Sequence, residues 1–283
     1  MLSDFHLHSC VSDGVLDPPS VVRHAATRGI GRLSITDHDS LGAYRWEDGR
    51  VFEEARALGV ELSVGIELDV ILDEREVHLL GYDLDLSAPR LGTHLEDVRR
   101  ARRERFRREI GVVQERLGRD VLREQDVLVP GRETLMRPHL IRPLVERGCF
   151  ATYEEGRGWF REHMTLGVVV PKPTFEEGLA MFAEAGGWAS LAHPGYYWKD
   201  GVPILDRLPI LHEQGLRAVE LQYPYRSSSP GLFSEQDERE FLAALRASGE
   251  RLGLRFTRGS DAHFVADFDR VYGPARERGE VTS

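Results

Sequence analysis

Cysteine is scarce. The chain of 283 residues holds two, Cys10 and Cys149, too few for a four-thiolate metal cage or a disulfide framework. They are expected as reduced thiols in a cytoplasmic protein. No apolar run approaches the ~20 residues that span a bilayer. The opening MLSDFHLHSCVSDG has neither the basic stretch nor the apolar core of a secretion signal. A membrane is therefore not an expected partner. An excess of positive charge is missing too: 37 Lys plus Arg stand against 47 Asp plus Glu, a net charge of −10 with histidine neutral. Such a surface does not attract phosphate backbones over its whole area, which excludes a generic nucleic-acid-coating protein. Bound metal cations can still reverse the sign locally. Internal repeats and low-complexity stretches are absent. With 41% apolar and 30% charged residues, the collagen-like, disordered and disulfide-stapled classes are excluded. The length suits one large domain or two small ones.

What is present is an alternation of short apolar runs with helical patterns. Leu2–Ser9 (LSDFHLHS) reads as a strand, with Leu2, Asp4, His6 and His8 on one face because strand side chains alternate with period two. Pro18–Gly29 reads as a helix opened by proline and closed by glycine. Strands are expected at Arg32–Asp37, Glu61–Val70 and Glu76–Tyr82, with a helix at Leu41–Leu58 and a polar turn, LDERE, before the last strand. The rhythm returns in strands at Trp188–Ala192, Ala218–Gln222 and Arg255–Thr257, separated by helices near Pro203–Gln214 and Ser234–Leu252. This alternation predicts an α/β fold with a mostly parallel sheet, and about seven strands can close into a barrel. Between about Leu91 and Thr174 the patterns are helical, apart from a strand expected at Gly167–Val170 (GVVV). The expected organisation is a barrel from residues 1–90 and 175–283, carrying a helical insertion, 91–174, that covers its active site.

Seven arginines fall between Arg99 and Arg108 (RRARRERFRR). Interleaved with Glu96, Asp97, Glu104 and Glu109, they fit a solvated helix face laced with ion pairs. A track for a nucleic-acid backbone is the competing reading.

Chemistry gathers elsewhere. His6 and His8 share a strand face, and Asp13 follows in the next loop. His38 closes the second strand in TDHD. Glu67 lies late in the third strand, in GIEL, and His78 lies in the fourth. His193 ends a later strand in LAHPG, and Asp261 and His263 follow the last in GSDAH. In α/β barrels the C-terminal strand ends form the active face. Each fragment alone is common at strand ends and helix caps. Together, nine nitrogen and oxygen donors that include three carboxylates call for a cation. Imidazole with carboxylate, and without thiolate, suits Zn, Mn or Fe. His24, His94, His163 and His212 fall in helical or flanking segments and are expected at the surface. Asp4 and Asp37 neighbour donors and are expected to orient imidazoles. Tyr196, Tyr197 and Trp198 either stack on a nucleobase or pack the barrel rim. Lys172 in VPKPT and the tail from Phe264 onward carry no assigned chemistry.

The segments DFHLHSCVSDG, ITDHDSLGA, GIELDVILDEREVHLLGYDLD, SLAHPG and GSDAH together resemble the PHP (polymerase and histidinol phosphatase) family of metal-dependent phosphoesterases. The resemblance implies a distorted (β/α)7 barrel holding two or three divalent metal ions. It implies His6, His8, Glu67 and Asp261 on one ion, with Glu67 bridging to a second ion also held by His78 and His193. Asp13, His38 and His263 would hold a third. Many family members have histidine where Asp13 stands, and the SDG form marks a branch. That branch carries a helical insertion ending in an RPH segment, here MRPHLIRPLVERG followed by GVVVPKPTFEE. It is similar to phosphatases of 5′-mononucleotides and 3′,5′-bisphosphate nucleotides, whose relatives degrade short RNA from the 5′ end. The resemblance makes Arg137 and His139 a clamp on the substrate phosphate. A helix-start ion pair and an ordinary helix-face histidine are their alternatives.

The expectation is a metal-dependent hydrolase of nucleotide phosphate esters, with Glu67, His193 and Asp261 as catalytic residues. Phosphate is anionic and resists attack, so the site must neutralise charge and generate hydroxide near pH 7, and metals do both. The expected nucleophile is a hydroxide shared by two metals. His193 or His263 protonates the leaving group only if spared from ligation. Three alternatives stand beside this. A histidinol-phosphate phosphatase is opposed by the RPH insertion. An exonuclease on longer RNA or DNA requires the arginine run to face the site. A non-catalytic binding module is opposed by nine convergent donors. The expected partner is a small phosphorylated substrate, a nucleotide or short RNA, without a stable nucleic-acid complex.

Overall fold

The structure, a computed structural model, describes residues 1–164 and 167–274. The last nine residues of the tail lie outside it. The first half runs β1 (Leu2–Leu7), α1 (Pro18–Ala26), β2 (Ile30–Ile35), α2 (Arg50–Leu58), β3 (Glu61–Leu72) and β4 (Arg75–Tyr82). The insertion holds α3 (Pro89–Leu117), α4 (Glu124–Val127), α5 (Pro138–Glu146) and α6 (Tyr153–His163). The second half runs α7 (Phe175–Glu184), β5 (Trp188–Leu191), α8 (Pro194–Lys199), α9 (Ile204–Gln214), β6 (Ala218–Gln222), α10 (Tyr225–Ser228), α11 (Glu235–Leu252), β7 (Arg255–Arg258) and α12 (Val265–Tyr272). No described helix is long and apolar enough to cross a membrane. Both cysteines are free thiols.

The seven strands lie in chain order. Past β7, Leu7 pairs with Ala262; the His8 N–H donates to the Ala262 carbonyl (3.1 Å) and the Asp261 N–H to the His6 carbonyl (2.9 Å). These bonds close the sheet into a distorted (β/α)7 barrel, and residues of the site make them. The sheet is parallel except at β4, which runs antiparallel to β3 and β5. The cause is local. Asp73 and Glu74 alone join β3 to β4, both in the left-handed region (φ 49° and 64°) that two-residue hairpins require.

Along β3, Ile66, Leu68 and Val70 join the apolar core shared with α7, while the intervening Glu67 and Asp69 project to the other face and meet the site histidines. Two expected elements come out differently. The helix over Leu41–Leu58 is broken into short 3₁₀ turns before α2, with Glu47, Asp48 and Gly49 all at positive φ. The buried Tyr44 hydroxyl, accepting the N–H groups of Ile35 (3.1 Å) and Gly65 (2.9 Å), ties this turn to β2 and β3. Gly167–Val170 is no strand, and Val169 is 83% exposed. The strand-like contact comes later, where the Ile71 N–H donates to the Pro173 carbonyl and Thr174 bridges Ile71.

The insertion has an apolar cluster of its own, centred on Phe106, Ile110, Leu140, Leu144 and Phe160. Leu91 and Leu95, on the first turns of α3, belong instead to the barrel core. Helix α3 therefore anchors in one core and ends in the other.

Candidate metal centre

The loops after β1, β2, β5 and β7, with His6 on β1, Glu67 within β3 and His78 within β4, bring all nine expected donors together in one cluster. Glu67 is at their centre, 1% exposed. Its Oε2 lies 3.2 Å from His6 Nε2, His8 Nε2 and His38 Nδ1. Its Oε1 lies 2.7 Å from His78 Nδ1 and 3.1 Å from His193 Nε2. Asp261 Oδ1 approaches His8 Nε2 (3.0 Å) and His6 Nε2 (3.4 Å), and Asp13 Oδ1 approaches His263 Nε2 (3.2 Å). Among the described residues four groups have donor atoms close enough to share an ion: His6, His8, Glu67 and Asp261; His8, Asp13, His38 and His263; His38, Glu67 and His78; and, at the rim, Asp69, Glu76 and His78. The first matches the expected ligand set of one ion.

These donors fit a metal because they do not satisfy one another. His6 Nε2, both nitrogens of His8, Asp13 Oδ1, His38 Nδ1, Glu67 Oε2 and His193 Nδ1 are buried without a properly oriented hydrogen-bond partner. Buried polar atoms are nearly always paired, so a cluster of orphans marks a site for something else. The charges agree. Burial pushes His8 and His78 down, but Glu67 with Asp261 beside His8, and Glu67 with Asp69 beside His78, outweigh it and raise them to about 10 and about 9. Burial likewise opposes the ionised form of Glu67, yet the surrounding imidazoles, His38 foremost, hold it well below the usual carboxylate range. Protons on imidazoles thus supply the positive charge that the carboxylates demand, and a bound cation displaces such protons. His193 and Asp261 both adopt left-handed backbone (φ 28° and 54°), strain of the kind that clusters at functional sites.

Four supporting residues lie beyond the expected set. Glu220, fully buried on β6, accepts from the His193 N–H (2.7 Å) through one oxygen and meets His6 Nδ1 (3.1 Å) with the other. Gly259 makes room for this: a Cβ there would lie 2.0 Å from Glu220 Oε1. A lone acid inside the apolar run AVELQ was the available signal. Asp69, two residues beyond Glu67 on the same strand face, lies near His38 and His78. Tyr223 donates its hydroxyl to Asp261 Oδ2 (2.8 Å), leaving Oδ1 toward the histidines. Arg102 is the fourth: its guanidinium, nearly buried, binds Asp39 (2.6 Å) and Asp69 (2.9 Å).

Several expectations need correction. Asp37 and Asp4 hold backbone and hydroxyl groups, not imidazoles. Asp37 accepts from Ser9 and Ser12, and Asp4 from Ser260, Tyr272 and the His6 N–H. Of the three aromatics after His193, Tyr197 takes the His78 N–H and Trp198 stacks on Phe241, so only Tyr196 faces a cleft. Lys172 pairs with Asp69 and Glu76. Arg137 is about one-third exposed, 3.5 Å from Glu109 and over the Phe160 ring. His139 is buried. Its Nδ1 accepts the Met136 N–H (2.9 Å), the ring also bonds the Ser12 backbone, and burial with Arg132 nearby pushes it down to about 3.

A seven-stranded barrel whose strands and following loops gather six histidines and three carboxylates defines a metal-dependent hydrolase. Comparison with known proteins narrows the class. The PHP domain model matches residues 4–126. The chain is 30% identical over 280 residues, 95% of its length and 90% of the relative's, to a 3′,5′-nucleoside bisphosphate phosphatase of Chromobacterium violaceum. It is 29% identical over 201 residues, covering 70% of this chain and 67% of the relative, to the 5′-3′ exoribonuclease Rnm of Salmonella typhimurium. Among solved structures, an amidohydrolase of Chromobacterium violaceum superposes with a TM-score of 0.70 at 26% identity, over 93% of this chain and 88% of that one. A Bifidobacterium adolescentis protein described as a candidate metal-dependent phosphoesterase superposes at 0.72 and 26%, over 98% and 90%. The chain belongs to the PHP family and is a metal-dependent phosphoesterase.

Proposed function

We propose that the chain removes phosphate from nucleotides, either 5′-mononucleotides or 3′,5′-bisphosphate nucleotides, and trims short oligoribonucleotides from the 5′ end. The observation that carries this reading is the group of buried, unpartnered nitrogens and oxygens around Glu67. The names of the relatives supply the substrate class. Two or three divalent ions, manganese, zinc or iron by donor type, supply the charge neutralisation and activated water that phosphate ester cleavage needs near pH 7. His6, His8, Glu67 and Asp261 would hold one. Glu67, His78 and His193 would hold a second, and Asp13, His38 and His263 a third. Glu67 would serve both ions, because its two oxygens face different imidazole sets. Asp261, fixed by Tyr223, and His193, fixed by Glu220, complete the catalytic set.

Residues 91–174 form the cover of this site. Arg137 offers the substrate phosphate a bidentate fork that lysine cannot reproduce, and His139, whose ring also bonds the Ser12 backbone, belongs to the same clamp. The longer-RNA reading loses its basis, because the arginine run is largely paired. Arg99 meets Glu96 and Glu133, Arg100 meets Asp97, Arg105 meets Glu109, Arg107 meets Glu124 and Arg108 meets Glu104. The test is phosphate release from AMP, adenosine 3′,5′-bisphosphate, histidinol phosphate and a short oligoribonucleotide, each with added manganese or zinc. Release from the nucleotides that stops on chelation is expected. Preference for histidinol phosphate, or release indifferent to chelation, would overturn the reading.

A further inference from the structure

On the antiparallel ladder of β3 and β4, Asp69 lies directly opposite His78. The two-residue turn at Asp73 and Glu74 sets this register, with Leu72 opposite Arg75 and the later pairs following from it. Opposed residues share one face of a sheet at close range. His78 therefore sits between two carboxylates of β3. Its Nδ1 is 2.7 Å from Glu67 Oε1, and its Nε2 is 3.5 Å from Asp69 Oδ1. Its backbone is held from outside: the N–H donates to the Tyr197 hydroxyl (2.7 Å), and the carbonyl accepts the Ala192 N–H (3.1 Å).

The two oxygens of Asp69 are used differently. Oδ2 accepts from Arg102 (2.9 Å) and meets the Lys172 ammonium (3.4 Å), and both cations come from the stretch 91–174. Oδ1 is buried without an oriented hydrogen-bond partner, on a residue only 3% exposed. His38 Nδ1 is farther from it (3.9 Å) and faces Glu67 Oε2 instead (3.2 Å). Asp69, Glu76 and His78 come close enough to share an ion, but Lys172 pairs with both of those carboxylates. Arg102 and Lys172 thus balance the charge there, and this rim needs no ion of its own.

A histidine that ligates through one ring nitrogen donates from the other, and the acceptor fixes which is which. We propose that Asp69 is a positioning residue: its Oδ1 takes the Nε2 proton of His78, which leaves Nδ1 bare for the ion that His78 would share with Glu67 and His193. The insertion, through Arg102 and Lys172, holds the other oxygen of Asp69 and so forms part of the support of the metal centre. The inference rests on the metal-centre reading and adds to it a histidine tautomer and the residue that sets it.

Manganese titration of metal-stripped protein against a chelating indicator tests this, with wild type, Asp69→Asn and Asp69→Ala. The asparagine nearly keeps the shape, but Arg102 and Lys172 retain its carbonyl oxygen and turn its NH2 toward His78 Nε2. The imidazole proton must then sit on Nδ1, the nitrogen meant for the ion. The alanine only removes the acceptor, and Arg102 keeps Asp39 while Lys172 keeps Glu76. Loss of such an acceptor weakens metal binding roughly 10- to 100-fold. Asp69→Asn should therefore weaken one ion about 100-fold and Asp69→Ala about 10-fold, with the other ions unchanged and full occupancy restored at high manganese. In a His78→Gln background, Asp69→Asn should cost nothing more. A residue that merely supports the fold would instead tolerate asparagine better than alanine. Unchanged affinities, asparagine binding as tightly as alanine, or an undiminished further loss in the His78→Gln background would overturn the proposal. So would an ion missing from both variants at saturating manganese, which would make Asp69 a ligand. A wild type that takes up no manganese would overturn the metal-centre reading itself, and this inference with it.

Discussion

The barrel mouth and the insertion helix α3 are both dense in charge, and they handle it in opposite ways. On α3, arginines and carboxylates alternate at helical spacing and pair with one another or with neighbouring acids. At the barrel mouth, histidines and carboxylates crowd together and leave buried atoms without partners. The first arrangement is paired along its exposed face, although Arg102 Nε and Glu109 Oε2 on its buried face also lack partners. The second is incomplete without a cation. Charge density in the sequence therefore does not locate the chemistry; unsatisfied, buried charge does.

Arg102 is where the two regions meet, and it gives the sharpest way to break the comparison. It lies on α3 but behaves like a residue of the mouth, 8% exposed and bound to Asp39 and Asp69. Arg102→Met takes the cation from buried Asp39 and leaves Asp69 with Lys172 (3.4 Å), which should cost about 3–5 kcal/mol in urea unfolding of the whole chain. A loss near zero would make the bridge incidental. His139 gives a smaller, pH-dependent effect. Burial holds it at about 3 when folded, against 6.5 as its ordinary value. Its contribution is therefore present above pH 6.5 and lost as pH falls toward 3, with about 2 kcal/mol gone by pH 5. His139→Gln should flatten the decline in stability between pH 7 and pH 5 by that amount, and an unchanged slope would contradict the account. At the bottom of the scale, Arg103→Ala and Arg107→Ala on the exposed face should stay within about 0.5 kcal/mol of wild type.

The nine donors were legible because each is a His, Asp or Glu on a strand pattern or in the loop that follows one. Period-two alternation and barrel topology then decide that they converge. The direction of β4 was not legible. LDERE reads as a polar turn, but the left-handed conformations of Asp73 and Glu74, two residues without glycine, are what make it a hairpin. Arg102 was hidden among seven similar residues, although a signal existed. It continues the buried stripe Leu95, Val98, Arg102, Phe106, Ile110 and Val113, spaced three and four residues apart. Glu220 was missed although it is a lone acid in the apolar run AVELQ, because that signal says nothing of what the acid would meet. Only the pairing of β6 between β5 and β7 and the closure of the barrel give it His6 and the His193 N–H as partners.

The central claim is that Glu67 completes a metal centre by serving two imidazole sets at once. Elemental analysis of the chain purified without chelator, as wild type and as Glu67→Gln, tests it most directly. At least one bound transition metal per wild-type chain is expected, and the variant should lose more metal than replacement of a terminal ligand such as His78, with turnover falling by more than about a hundredfold. A Glu67→Gln chain with wild-type metal content and near-normal turnover would contradict the account.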